Sequence, residues 1–345
     1  RHYFSFTKRK LYLVSFVFII SFIIFYFLNF YFSIYQKGIV YEGSINSPIY
    51  NIIVWFIKIG FPVLISMVLF ISLNLRSIDY KIKSVSLSCF ESSISSISQL
   101  SRAVIFNPFS MIFGIFKYNQ FQERKFTIKN FIKSYVLISL FALIAIIAVS
   151  ELRYKFYNLE DSTKESRSFE DKISNHFSNI LYLIGNRWVG IEGVMSAQGH
   201  QDKGIILFKS SFGEKYNFSN TFYEVEFKKN EYVKNYEDVE NYITKQKLKH
   251  IFIFTPGIIG FLYYSGSLFF LSFVLSLIFI FCALVEIIIF KLSRNNFIYT
   301  SLMCNTMAYH LAHFGYMPQN SYKIIFGIFL GLVMVMSINK IIYNK

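Results

Sequence analysis

The stretch SLFFLSFVLSLIFIFCALVEIIIF, residues 267–290, decides the fold class of this chain. Its single charged residue, Glu286, stands close to the end of the stretch. A hydrocarbon core about 30 Å thick is crossed by roughly 20 consecutive apolar residues of an α-helix. Because every backbone polar group must be satisfied within the bilayer, a segment of this length predicts a transmembrane helix.

Further apolar segments of similar length indicate that the chain crosses the membrane several times. Hydrophobic residues make up 54% of the sequence, and its mean hydropathy is +0.43. We predict an all-α multi-pass membrane protein with about six transmembrane helices and one large extracytoplasmic loop domain. The spans lie near residues 11–33, 52–73, 131–149, 267–290, 297–316 and 322–341, and the fifth of these is the weakest in hydrophobicity.

The chain then divides into a membrane domain (1–150), a loop domain (151–255) and a second membrane domain (256–345). Within the first, Asn107 and Pro108 interrupt an apolar stretch that is too short to span. The preceding residues are rich in serine and favour an amphipathic helix held at an anionic lipid surface. We therefore predict that residues 84–116 form a cytoplasmic amphipathic or re-entrant region.

The charge distribution predicts the orientation. A net charge of +15 on a soluble protein would indicate nucleic acid. Here the basic residues concentrate in alternate connections, whereas the short outer loops hold only Lys37 and Lys323. This asymmetry places both termini in the cytoplasm, and no nucleic-acid partner is expected. Residues 151–250 instead hold 15 acidic and 15 basic residues, a balance typical of a domain in water.

The first segment with a chemical signature is IGNRWVGIEGVMSAQG, residues 184–199. Glycine lets a backbone approach a ligand or another helix closely, and the Arg187 guanidinium suits a phosphate or carboxylate group. Trp188 can stack on a sugar or sit among lipid headgroups. Glu192 is five residues from Arg187, so the two do not share a helix face. The competing interpretation is an interfacial helix with a snorkelling arginine.

A second segment, FTPGIIGFLYYSGS (254–267), leads into the fourth span and predicts a short helix with Tyr263 and Tyr264 at the outer interface. A plain aromatic belt is the alternative. In the fifth span, His310 and His313 are three residues apart and share a helix face. Each can act as a general base or bond to a neighbouring helix. We predict no metal site and no cofactor, since no metal-ligand spacing is present.

The arrangement of spans and outer loop in residues 84–320, together with the segments NRWVGIEGV and TPGIIGFLYYSG, resembles the C-terminal part of a bacterial O-antigen or capsule repeat-unit polymerase. The resemblance rests on architecture. Such polymerases carry an outer-loop arginine and a glycine separated by ten residues, whereas eleven separate Arg187 from Gly199 here. These enzymes have about twice as many spans, and this chain begins with Arg1. The resemblance therefore implies a further N-terminal portion.

The resemblance implies a bacterial inner-membrane glycosyltransferase that joins oligosaccharide units carried on polyprenyl diphosphate at the outer face. Arg187 would bind the donor diphosphate, with Trp188, Tyr263 and Tyr264 as further substrate contacts. Glu192, His310 or His313 would be the catalytic base. Membrane lipids and a chain-length regulator protein are the other expected partners. The alternatives are a transporter or flippase of lipid-linked glycan, and a non-catalytic membrane protein of a polysaccharide pathway.

Overall fold

The computed structural model describes residues 3–4, 7–37, 47–75, 78–102, 104, 106–122, 128–157, 191–212, 222–227, 256–312 and 318–344. Apart from one two-residue antiparallel pairing, the elements in these ranges are helices. Five are long and apolar enough to cross a membrane, and they confirm five of the predicted spans: Lys8–Phe32, Pro48–Asn74, Ile132–Arg153, Leu268–Leu292 and Tyr322–Ile342.

The elements follow one another along the chain with short connections in the membrane part. In order, they are β1 (Tyr3–Phe4), α1 (Lys8–Phe32), α2 (Ser47–Trp55), α3 (Phe61–Asn74), α4 (Ile78–Ser98), α5 (Phe106–Phe121), α6 (Ile128–Tyr157), α7 (Ile191–Gly199), α8 (Ile205–Phe212), α9 (Phe222–Phe227), α10 (Gly257–Tyr263), α11 (Leu268–Leu292), α12 (Phe297–Ala312), α13 (Pro318–Ile342) and β2 (Tyr343–Asn344).

The bundle has two ends that the contacts identify. At one, the termini end, β1 pairs with β2, and the Arg294 guanidinium lies 5.2 Å from the Tyr343 ring. At the other, the loop end, the Lys37 amide donates to the Gln99 carbonyl at 2.9 Å. The predicted extracytoplasmic domain, 151–255, begins at this end with the last turn of α6. Most of it lies outside the described residues.

The centre of the bundle is α3, along which nearly every side chain from Phe61 to Leu73 is buried. The peripheral helix α11 fully buries Ile289 among its large apolar side chains and exposes about half of them, as expected of a helix with one face toward lipid. Between α2 and α3 the helix continues through a π-helical turn, Phe56–Gly60. Such a turn holds one residue more than an α-helical turn and often marks a functional site.

In residues 84–116, for which the sequence predicts an amphipathic or re-entrant region, α4 lies inside the bundle. It packs against α1, α3 and α6 and extends from the termini end to Gln99 at the loop end. The chain then turns back, since the Ser92 hydroxyl bonds to the Val104 carbonyl at 2.9 Å, and α5 returns to Tyr118, which donates to Asn74. Helices α4 and α5 therefore form a helical hairpin, in which the hydroxyls of Ser92, Ser93 and Ser98 donate to backbone carbonyls.

The predicted span at 297–316 corresponds to α12, which ends at Ala312 and has 16 residues. It is shorter than the five membrane-crossing helices. Even so, α12 runs antiparallel to α5 along the bundle. Phe297 meets Phe121, and the Ser301 hydroxyl donates to the Ser110 carbonyl at 2.7 Å. Its last residues reach the loop end.

Candidate functional site

Three basic side chains, two tyrosines and a histidine meet at the loop end, and we call Tyr35, Lys37, Lys58, Arg153, Tyr309 and His310 together the cationic cluster. They come from the loop after α1, the π-helical turn, the end of α6 and the end of α12. The Lys58 ammonium lies 4.3 Å from the centre of the Tyr35 ring, and that of Lys37 lies 6.0 Å from it. Both distances lie within the range of cation–π attraction.

The backbone of Tyr35 is held by the buried side chain of Asn29 in the last turn of α1. The Tyr35 amide donates to Asn29 Oδ1 at 2.7 Å, and Asn29 Nδ2 donates to the Tyr35 carbonyl at 3.1 Å. Asn29 Nδ2 also donates to the Ser98 hydroxyl at 2.7 Å, and this bond joins α1 to α4. The loop that carries Tyr35 and Lys37 is therefore fixed to two helices.

Lys58 reaches Tyr35 because the π-helical turn aims it there. Its neighbours Ile57 and Ile59 are buried, whereas Lys58 itself is exposed. Its exposed side chain leaves the ammonium accessible to an added ligand. In the sequence, Lys58 lies inside the predicted span at 52–73, where snorkelling to the membrane surface is the usual explanation of a lysine.

The remaining cation, Arg153, is anchored to backbone. Its Nε donates to the Leu100 carbonyl at 2.8 Å, and its Nη2 donates to the same oxygen. Leu100 adopts a left-handed conformation with φ 50°, which turns this carbonyl toward α6. Arg153 interacts electrostatically with Lys37 and Tyr309, and His310 interacts with both lysines. Positive charge is therefore concentrated in a small volume.

Tyr35 responds strongly to these charges. Burial raises the pKa of its phenol, but the positive charges of Lys37 and Lys58 outweigh this and lower the pKa to about 7. Conversely, the negative charge available on Tyr35 raises the pKa of Lys37 above its ordinary range, against the opposite effect of desolvation. Lys37 therefore stays charged near neutral pH, and the cluster attracts anions.

The two sequence segments singled out for their glycines pack directly on each other. Helix α7 carries the end of the first segment and α10 the core of the second, and they cross at Gly193 and Gly260. A Cβ on Gly193 would stand 2.0 Å from the Pro256 carbonyl oxygen, and one on Gly260 would stand 2.8 Å from the Gly193 carbonyl carbon. The crossing requires glycine on both helices.

Around this crossing, α7 to α10 form what we call the loop-end layer. Its core contains Ala197, Leu207, Phe227 and Phe261, and Leu311 of α12 packs against it. Since Leu311 follows His310, the layer lies beside the cationic cluster. Tyr264 is buried in this core, whereas Tyr263 is partly exposed and donates to Gln198 Oε1 at 2.5 Å. Of these two tyrosines, Tyr263 is therefore the one that a ligand can touch.

A histidine–glutamate pair in the layer had no signal in the sequence, because its members are far apart along the chain. His200 Nε2 lies 3.5 Å from Glu226 Oε1, and His200 Nδ1 accepts from the Asp202 amide at 3.2 Å. This geometry assigns the ring proton to Nε2 in the neutral tautomer. His200 thereby orients the Glu226 carboxylate, whose side chain is 37% exposed.

The other predicted site residues are placed only in part. Arg187, Trp188 and His313 lie outside the described residues. Glu192 is the second residue of α7, and the description covers its backbone but not its side chain. Within the described part of the chain, no three His, Cys, Asp or Glu side chains are grouped so as to hold a metal ion.

The arrangement can therefore bind an anionic group between Lys37, Lys58 and Arg153 and present a carboxylate and a tyrosine nearby. Cations that bind bidentately or as point charges are the usual partners of phosphate groups. Comparison with protein-family models, with curated proteins and with solved structures found no match.

Proposed function

We propose that this protein polymerises lipid-linked oligosaccharide repeat units at the outer face of a bacterial inner membrane. The observation that carries the proposal is the cationic cluster, which concentrates Lys37, Lys58 and Arg153 at one end of a membrane bundle. A diphosphate joined to a lipid chain is an anion that its membrane anchor would hold at the level of this cluster. The neighbouring loop-end layer offers an aromatic ring and a carboxylate for the sugar.

The proposed topology has six spans, with α12 as the fifth and the loop end facing outward. Two features support it. The course of α12 from Phe297 to the loop end agrees with a short span packed inside the protein. The basic residues outside the loop end concentrate toward the termini end, as the positive-inside rule requires for cytoplasmic termini.

In the proposed reaction, an acceptor sugar hydroxyl attacks the anomeric carbon of the donor. The new glycosidic C–O bond forms as the bond to the diphosphate breaks, and the lipid diphosphate leaves. Lys37, Lys58 and Arg153 stabilise the negative charge that develops on the leaving group, and we assign Arg187 to the same task. A base accepts the hydroxyl proton, for which Glu226 joins Glu192, His310 and His313 as a candidate.

The test is complementation of a polysaccharide deletion strain with the complete gene, with glycan length on a gel as readout. Lys58→Ala and Arg187→Ala should each reduce long chains to single repeat units, because they weaken binding of the departing diphosphate. Lys58→Arg, which keeps the charge, should restore part of the length. Lys117→Ala is the matched control, since Lys117 is an exposed lysine toward the termini end.

The outcomes separate the candidate functions when lipid-linked units are quantified on each side of the membrane. Single units that accumulate on the outer side in Lys58→Ala support a polymerase. Units that accumulate on the cytoplasmic side support a flippase, and unchanged long chains in both variants refute a role for the cluster. We expect the chain-length regulator to shift the length distribution of wild type without changing these differences.

A further inference from the structure

The most unusual side chain in the membrane part of the structure is Glu91, in the middle of α4. It has no exposed surface, and α4 lies among α1, α3, α5 and α6. Ionisable residues at such depth are rare, because their charged form loses its hydration, and they commonly mark functional sites. On a lipid-surface helix, which the serine-rich sequence favours here, a glutamate would need no explanation.

The contacts of Glu91 are those of a carboxylic acid rather than a paired ion. Its Oε1 is hydrogen-bonded to the Tyr26 hydroxyl of α1, and its Oε2 is buried with no hydrogen-bond partner. An ionised carboxylate carries charge on both oxygens, so a buried oxygen without a donor is unfavourable for it. The neutral acid can donate from Oε1 to Tyr26 and leaves only a carbonyl oxygen unsatisfied.

No neighbouring helix supplies a cation to neutralise Glu91 among the described side chains. Tyr26 is the titratable residue of α1 that faces it, and the sequence of α3, Phe61–Asn74, holds no charged or titratable residue. The remaining described titratable groups on the helices packed against α4 lie toward the bundle ends or against other partners: Lys8, Arg9, Lys10, Tyr12 and Tyr31 on α1, Lys117 and Tyr118 on α5, and Lys133, Tyr135, Glu151 and Arg153 on α6.

A line of polar side chains joins Glu91 to the loop end. The Tyr26 hydroxyl also interacts with the Ser95 hydroxyl, and Ser95 accepts from the Gln99 side-chain amide at 2.7 Å. The backbone carbonyl of Gln99 accepts a hydrogen bond from the backbone amide of Lys37, so Gln99 lies next to Lys37 at the loop end. Toward the termini end, Phe22 and Val85 are buried, and the buried Ser88 hydroxyl bonds to Met111 Sδ at 3.3 Å.

We propose that Glu91 is a proton-binding site inside the membrane domain, protonated in this structure and exchanging its proton with the loop-end face through Tyr26 and Ser95. Release of the proton leaves a carboxylate between α1 and α4, where Oε2 has no donor. The contact of these helices is therefore coupled to pH at the loop end. This site is separate from the cationic cluster and does not depend on the proposed function.

Infrared spectroscopy of the full chain in lipid vesicles tests the protonation. Wild type should show a carboxylic-acid carbonyl band that Glu91→Gln removes and that disappears as the pH is raised. Glu226→Gln is the matched control and should keep the band, because the Glu226 side chain is 37% exposed and faces His200 outside the membrane bundle. Loss of the band in Glu226→Gln but not in Glu91→Gln overturns the proposal, as does the absence of any such band across the pH range.

Two further variants test the surroundings of the site and remain informative if Glu91→Gln does not fold. Tyr26→Phe keeps the carboxyl but removes its hydrogen bond, so the band should shift in frequency. Ser95→Ala interrupts the hydroxyl path, so hydrogen–deuterium exchange at the band should slow while the band itself remains. A band that neither variant changes in position or exchange rate refutes the proposed environment and path.

Discussion

Replacing Gly193 by alanine should open the loop-end layer. The new Cβ would stand 2.0 Å from the Pro256 carbonyl oxygen, where an ordinary contact begins at 3.4 Å, so the two helices must separate by about 1.4 Å. In Gly260→Ala, the new Cβ would stand 2.8 Å from the Gly193 carbonyl carbon, so the two helices must separate by about 0.6 Å. The obstructing atoms are backbone and cannot rotate away, so the cost falls on the packing of α7 against α10.

Overpacking of this kind costs about 1–3 kcal/mol. We expect the upper part of that range for Gly193→Ala and the lower part for Gly260→Ala. A loss of about 3 kcal/mol in the free energy of local opening corresponds to a change on the order of a hundredfold in the open population. Hydrogen exchange followed by mass spectrometry on peptides from α7 measures this population directly.

The control is Gly199→Ala on the same helix, because no atom lies within 4 Å of a Cβ at that position. Its amides should keep their protection, or gain some, since alanine favours a helix over glycine by up to about 1 kcal/mol. If Gly193→Ala retains the exchange rates of wild type, or if Gly260→Ala is the more damaging change, the close crossing of the two helices is refuted.

Two further predictions follow from the loop end and from the membrane core. Tyr35 should ionise near pH 7, because burial raises but Lys37 and Lys58 more strongly lower its pKa. Its folded pKa is below the unfolded value of about 10, so its contribution to stability is complete above pH 10 and declines as the pH falls toward 7. A tyrosinate difference spectrum of wild type minus Tyr35→Phe should show this titration, and Lys58→Met should move it to higher pH; a midpoint unchanged in Lys58→Met would contradict the assignment. Trp55→Phe should cost about 1 kcal/mol of stability in detergent, because the indole N–H donates to the Gly327 carbonyl at 3.0 Å across α2 and α13, whereas an unchanged unfolding midpoint would show that this bond contributes nothing.

Much of the membrane architecture is predictable from the sequence, because hydrophobic length is a local property. The five long apolar helices differ from their predicted ranges by a few residues at most. Hydropathy does not identify helix α4 as part of the membrane bundle, for a physical reason. It faces other helices instead of lipid, so serines replace the apolar residues that a hydropathy window detects. The Ser93 hydroxyl bonds to the Cys89 carbonyl at 2.9 Å, and that of Ser98 to the Tyr26 carbonyl at 2.8 Å.

The candidate site was predictable only in fragments. The segments of Gly193 and Gly260 were both recognised, and their glycines indicated close approach, but nothing in the sequence showed that they approach each other. Lys37, Lys58 and Arg153 stand on three separate elements, and only the tertiary packing brings them together. The pair of His200 and Glu226 is likewise a product of folding, since the two residues flank a gap of 25 positions.

The π-helical turn at Phe56–Gly60 fixes the rotational phase of two helical segments relative to each other. Each residue advances an α-helix by about 100°, so the additional residue in this turn rotates everything before it by that angle relative to α3. Deleting a single codon would leave a continuous apolar helix, still long enough to cross a bilayer, with Lys58 or Trp55 swung to a different side. A deletion of one residue can therefore turn Lys58 away from the loop-end cluster while the segment still inserts into the membrane. The position of this lysine can change in evolution without loss of the span.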